Sequence, residues 1–318
     1  MKRIISAAIA ALLLTSAMAQ RVETINFGNF NQWITRNIPE SAIIGGNTKT
    51  IYEIGPNATI DGAKAYSNQG GSPWATSNVY AKVSGVKKAS CAVYPDTRSA
   101  GNRCAKLVAQ MENVKAIGII SMDVMVGGSM FLGKMLEPVT STSNPYSKME
   151  MGVPFTGRPS ALRFDYKTKI PNVDYRTYSS GFGRKKQLPG RDNGEVFILL
   201  QRRWEDADGN LHATRVATGR EVFNKSTGWI NSHDLKLNYG DISSLRGTQA
   251  YKALIPKDKS YYARNSKGKM VPVVESGWET DPNAAPTHMI LMFSASSGEP
   301  YTATEGLTLW IDNVALVY

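Results

Sequence analysis

The sequence is short of the residues that most metal and nucleophile chemistries require. Two cysteines, Cys91 and Cys104, exclude a four-thiolate zinc site and a disulfide-dense scaffold. His212, His233 and His288 stand far apart, so a histidine metal centre is not indicated. No Gly-x-Ser-x-Gly elbow, phosphate-binding Gly-x-x-x-x-Gly-Lys-Ser/Thr loop or His-Glu-x-x-His pair occurs. Ser232-His233-Asp234 holds the three triad residue types, but consecutive side chains project in different directions and cannot bond in series. Long apolar runs are missing as well. Val114 to Leu136 is interrupted by Lys115, Asp123 and Lys134, with Gly127-Gly128 at its centre, and reads as two buried strands rather than a membrane span. No segment carries a capped 3.6-residue apolar stripe; Val79 to Ala81, Lys106 to Met111 and Ser243 to Leu245 are the only places where a helical turn fits.

What remains is enough to fold: 42% of the 318 residues are apolar and 20% are charged, with a formal charge of +11. The first residues point to export. Lys2 and Arg3 precede an apolar run from Ile4 to Leu14, and Ala17-Met18-Ala19 offers the small residues a signal peptidase reads. The run is too short to span a bilayer, which takes about 20 residues. Residues 1–19 are therefore expected to be a cleaved secretory signal, leaving the mature chain in the periplasm, on the cell surface or outside the cell. Nucleic acid is then not an expected partner. The basic cluster Arg184-Lys185-Lys186, with Arg191, reads as a solvated loop or a contact for an anionic glycan. An oxidising compartment also permits a Cys91–Cys104 disulfide across the turn-rich segment between them, worth about 3 kcal/mol for a loop of that size.

Short β-like runs with glycine and proline turns dominate the mature chain. Glu195 to Trp204 and Leu211 to Val216 flank Asp206-Ala207-Asp208-Gly209-Asn210 and predict a hairpin. That turn resembles the front of a calcium loop but lacks the closing acidic ligand, so no cofactor or metal is called for. At the C-terminus Leu307, Leu309 and Ile311 alternate with Thr308, Trp310 and Asp312. Residues 20–90 hold few clear strands, and 255–285 read as a long surface excursion. Such a pattern predicts an all-β sandwich or barrel, taken as one domain over residues 20–318.

Aromatic side chains are the most informative functional signal, because pyranose rings present an apolar C–H face to them. Trp33, Trp204 and Trp310 lie in β-like runs and are assigned to the core. Trp74, Trp229 and Trp278 follow Gly, Ser or Pro residues and are candidate stacking platforms. Asp165, Glu195, Glu205, Asp234, Glu275, Glu279 and Asp281 are available for a hydrolytic pair, but spacing promotes none of them.

Several stretches together resemble one family. They are Gly127-Gly128-Ser129-Met130-Phe131-Leu132-Gly133-Lys134, Gly152-Val153-Pro154-Phe155-Thr156-Gly157-Arg158-Pro159, Ala161 to Lys167, Met292 to Gly298 and Leu309 to Tyr318. In this order they are similar to the putative carbohydrate metabolism domain family of exported bacterial proteins, over roughly 113–318. The resemblance implies a jelly-roll β-sandwich similar to carbohydrate-binding modules, and brings no agreed catalytic residues. The resemblance also implies an upstream immunoglobulin-like domain, which many members carry and for which residues 20–90 offer too little length. Within the Phe-Thr-Gly-Arg-Pro run, Gly157 permits a positive φ, and Arg158 either reaches a ligand or braces its loop. The expected partner is a polysaccharide or oligosaccharide, held by Trp229, Trp278, Trp74 and Tyr166 with polar contacts from Arg158 and Lys167. Binding without turnover is expected. A glycoside hydrolase or lyase using a carboxylate pair on the concave sheet, and a structural or adhesive surface protein, are the competing readings.

Overall fold

The computed structural model describes residues 20–116, 120–181, 183–245 and 252–318, so the expected secretory signal lies outside the described residues. Strands carry the fold. Among the described residues helical structure is confined to 3-10 turns such as Pro145–Lys148, and no helix is long and apolar enough to cross a membrane. The all-β expectation holds, and two of the three suggested helical turns become strands, Val79–Val83 and Asn102–Ala116. Both have ladder partners that local propensity cannot see.

An eight-stranded sheet sets Ala161–Lys169 between Ile230–Lys236 and Thr308–Val317, with Asn102–Ala116 beyond. The two ends of the described chain meet there, Val22 opposite Val317. The C-terminal alternation works as read: Leu307, Leu309 and Ile311 are fully buried. With Leu162 and Phe164 they share one core with Val196, Ile198, Leu291 and Phe293 of a ten-stranded sheet. Each such side chain contributes roughly 1.5–3 kcal/mol by leaving water.

The ten-stranded sheet closes on itself. Ser129–Met135, Met149–Met151, Tyr262–Arg264, Met270–Trp278, Leu211–Phe223, Gly194–Glu205 and His288–Ser294 pair in turn, and the last returns to the first. Closure removes the exposed edges that an open sheet leaves. Phe131, Met151, Phe197, Leu199 and Ile290 form a second apolar cluster on the face turned away from the main core, inside this ring. Residues 255–285 are therefore no surface excursion, since two of the ring strands come from them. Ile120–Gly127 and Ser129–Met135 are the two strands expected around the glycine pair, but they belong to different sheets. At Gly128 a Cβ would lie 2.5 Å from the Val108 nitrogen, so only glycine lets the chain cross there.

The N-terminal region is richer in strands than its sequence suggests. Trp33–Pro39, Thr48–Ile54 and Ala58–Asp61 form a three-stranded sheet, and Val79–Val83 pairs with Val86–Ser90. Buried Arg36 donates to Glu53 within this region at 2.7 Å and to Glu137, just after the ring strand Ser129–Met135, at 2.6 Å.

The expected disulfide is absent: Cys91 and Cys104 are free and buried. A hairpin does lie between them, Val93–Ser99 against Asn102–Ala116, but its register pairs Asp96 with Cys104 and Val93 with Leu107. Cys91 thus falls about five residues beyond the partner of Cys104, roughly 17 Å along the strand. Bridged Cα atoms lie roughly 4.4–6.8 Å apart.

Candidate functional site

Strand alternation turns Arg163, Asp165 and Lys167 out of the core, onto the outer face of the eight-stranded sheet. Asp165 lies directly opposite Asp312 and Lys167 opposite Trp310, while Lys106 flanks Trp310 on the other side. A bulge makes this register possible. The ladder shifts between Arg163 and Asp165, and Asn313 takes a positive φ of 52° with its N–H donating to Asp312 Oδ1 at 2.8 Å. The Asp312-Asn313 pair therefore anchors a bulge through side-chain bonds to backbone.

Arg98 reaches across from the neighbouring hairpin. Its Nη1 donates to Asp165 Oδ2 and Asp312 Oδ2, each at 2.6 Å, and its Nη2 to Asn231 Oδ1 at 2.7 Å. The carboxylates are fully engaged. Asp165 also accepts from the Ser232 N–H at 2.6 Å and Asn313 Nδ2 at 2.8 Å, and Asp312 accepts from Asn102 Nδ2 at 3.1 Å. Burial pushes the Asp165 carboxyl up, but the bonds from Ser232, Asn313 and Arg98 outweigh it and leave it below the usual range. At Asp312, burial prevails over the bonds from Arg98, Asn102 and Asn313, and the carboxyl sits above that range.

Two indoles complete the face. The Arg98 guanidinium lies 4.4 Å from the centre of the Trp229 ring. The Lys167 ammonium lies 4.0 Å from the centre of Trp310 and 5.6 Å from that of Trp229. Trp310 is fixed by its Nε1 donating to Asp96 Oδ2 at 2.8 Å. The loop that carries Trp229 is tied to Thr168, whose hydroxyl donates to the Lys225 carbonyl at 2.7 Å and whose carbonyl accepts from the Thr227 N–H at 3.0 Å. Trp229, Trp310, Lys167 and Arg98 are all partly buried, each keeping some surface in water. Lys167 has no hydrogen-bond or carboxylate partner among the described residues, so its charge is offered outward between two aromatic rings.

The structure brings together two of the six expected ligand residues, Trp229 and Lys167. Trp74 is corrected to the core: it is fully buried in a strand paired with Ser129–Met135, its Nε1 donates to the Asn26 carbonyl at 2.9 Å, and Phe30 meets it edge-on. Tyr166 is also corrected, because the same alternation that exposes Lys167 turns it inward onto Phe223, 4.6 Å between ring centres. Arg158 braces its loop, donating to the carbonyls of Ala284 and Pro282 and lying 4.2 Å over Tyr239. Gly157 beside it does not take the positive φ expected of it; a Cβ there would stand 2.8 Å from the tips of the Phe155 ring and the Tyr318 hydroxyl, which would have to shift. Trp278 sits beside Arg215 of the ring rather than on the outer face.

Two tryptophans assigned to the core prove accessible. Trp204 is 44% exposed, stacked on His212, and Trp310 keeps some surface in water. For Trp310 the signal was present in the alternation that set it opposite Leu309 and Ile311. Arg98 carried none, because its partners lie 67 and 214 residues away. The remaining acids considered for a hydrolytic pair also hold partners, among them Glu195 with Arg220, Asp234 with Arg163 and Glu275 with Arg215. No cluster of metal-ligating side chains occurs among the described residues.

The model of one protein family, described as a putative carbohydrate metabolism domain, matches residues 47–317. The match begins well before residue 113, where the resemblance starts. Among curated proteins nothing matches. Two solved structures are similar in part. One is a putative glycoside hydrolase from Bacteroides thetaiotaomicron VPI-5482, with 19% identity, TM-score 0.45, and coverage of 86% of this chain and 76% of the other. The second is a putative glycoside hydrolase from Bacteroides vulgatus ATCC 8482, with 13% identity, TM-score 0.42, and coverage of 93% and 94%. Both are too distant for their activity to bear on this chain.

Proposed function

The chain belongs to the putative carbohydrate metabolism domain family, and from that premise we propose that it is an exported glycan-binding protein whose site is the outer face of the eight-stranded sheet. The observation that carries the reading is the unpaired Lys167 ammonium held between Trp229 and Trp310. Indole faces suit the C–H surface of a pyranose, and an ammonium without a counter-ion suits a sugar carboxylate or sulfate. The preferred ligand is therefore an acidic polysaccharide or oligosaccharide. Asp165 and Asp312 serve as the grip on Arg98, which in turn backs Trp229.

We also take residues 20–318 as one enlarged domain of jelly-roll type, on the meeting of first and last strands in one sheet and the core shared between both sheets. Hydrolysis is the second reading, favoured by the opposite pKa directions of Asp165 and Asp312, the pattern of an acid–base pair. Against it, Arg98 bonds both carboxylates and Asp312 is fully buried.

The test is titration calorimetry with oligogalacturonate and a neutral oligosaccharide of equal length. The parent should prefer the acidic ligand, and Lys167→Met should remove most of that preference while leaving the neutral affinity within about twofold. Equal binding of both ligands by the parent would sink the acidic-glycan reading. Sustained release of reducing sugar, abolished by Asp312→Asn in a folded protein, would move the assignment to hydrolysis.

A further inference from the structure

The ring of seven strands encloses more than packed side chains. At one end its interior opens into a cavity of about 680 Å³, within the range of small-molecule sites. Phe197 stacked on Tyr261, ring centres 5.9 Å apart, lies deeper in the ring. Further along the same strand Gln201 donates to Glu275 at 2.7 Å, and Arg215 donates to Glu275 at 2.6 and 2.5 Å, which closes the far end. The wall is mainly apolar, with Met125, Met135, Met149 and Met292 as its adaptable parts.

Charged groups stand around this apolar surface, among them Lys88, Glu112, Lys148, Lys259 and Glu299. Glu195 and Arg220 face each other at 2.8 Å and neutralise one another. Arg176 Nε and Ser90 Oγ are buried in the wall with no hydrogen-bond partner among the described residues. A buried donor left unbonded is costly, and a ligand acceptor would relieve that. A sugar is a poorer occupant than an apolar chain, because most of the exposed wall is apolar and hydroxyls facing it would go unbonded.

We propose that the cavity binds a single-chain amphiphile, an alkyl chain with a hydrogen-bond-accepting head such as a carboxylate. The chain lies against the methionines and Ile255, and Arg176 receives the head, with Ser90 a second donor in the wall. The site is separate from the outer-face site and does not depend on it.

The probe is cis-parinaric acid, whose fluorescence rises in apolar surroundings, titrated into the purified protein. Saturable one-to-one binding and a ligand-dependent rise in melting temperature are expected. Met292→Trp fills the cavity from the ring, and Ala81→Phe fills it from the Val79–Val83 strand; each should weaken binding at least tenfold. Arg176→Gln should weaken the acid about tenfold and leave parinaryl alcohol unchanged, while Trp229→Ala should alter neither. No saturable binding by the parent, or undiminished binding by a folded filled variant, would overturn the proposal. If neither filled variant folds, equal affinity of Arg176→Gln and parent for the acid would overturn it instead.

Discussion

The outer face of the eight-stranded sheet and the inside of the seven-stranded ring use the same residue types to opposite ends. On the outer face Arg98 is held by two carboxylates yet keeps an edge in water, and two partly buried indoles stand beside a lysine with no carboxylate partner among the described residues. Inside the ring, Arg215 and Glu275 are 1% and 0% exposed at their side chains, and the pair serves as a stopper behind apolar rings. Solvent access makes the difference. The Arg98 side chain keeps 16% of its surface in water although Asp312 beneath it has none, so this cluster can meet a ligand at one edge, whereas a pair dry on both sides is costly to break and fixes shape.

The largest expected effect follows from that contrast. Arg215→Met leaves Glu275 buried without its partner and should cost about 3–5 kcal/mol, read as a much lower midpoint in urea. The parinarate site should weaken with it, while the outer-face glycan affinity of the surviving folded fraction should stay put. An unchanged midpoint would show that water reaches the ring after all. Asp312→Asn, on the outer face, should cost about 1–3 kcal/mol and weaken glycan binding by loosening Arg98 under Trp229. A loss as large as that at Arg215 would erase the distinction between the two regions.

Acid should separate them next. Burial, and then the charge of Arg203, hold His288 down to about 4 from 6.5. The unfolded chain takes up its proton first, so this group lowers stability as pH falls from about 6.5 towards 4 and has no effect above that window. Hydrogen exchange should therefore rise first in His288–Ser294, and His288→Gln should flatten the dependence. Asp165 works the same way at lower pH: its depressed carboxyl stabilises the fold above the unfolded value and loses that contribution as pH falls below it. The outer face should accordingly persist to more acidic conditions than the ring, and the reverse order would break the comparison.

Smaller still, Trp229→Ala should weaken glycan binding about threefold to tenfold, the equivalent of roughly 0.5–1.5 kcal/mol, and shift melting by only a few degrees. A collapse in melting would make Trp229 a structural residue. The smallest effect is at the cysteines. Dithiothreitol should leave melting unchanged, and both thiols should react with Ellman's reagent only in denaturant, because burial raises each to about 12.

Much of the site was legible where it depends on alternation. Leu309 and Ile311 inward forces Trp310 and Asp312 outward, and Phe164 inward does the same for Asp165. What stayed hidden depends on register between distant strands. Nothing near Arg98 in sequence announces Asp165, Asp312 or Asn231, and nothing near Trp74 announces the strand that buries it. Cysteine spacing likewise suggested a bridge that a pairing offset of about five residues forbids.

By itself, then, the sequence determined the all-β class, the hairpin around Asp206, the C-terminal strand and its two faces, and a resemblance that reached the right family. These are local matters, set by period-two alternation, turn residues and short motifs. Only the tertiary structure decided that seven strands close into a ring, that 255–285 supply two of them, and which tryptophans meet water. Those outcomes rest on which strand finds which partner, a choice made by burying complementary faces across long stretches of chain, and no local pattern records it.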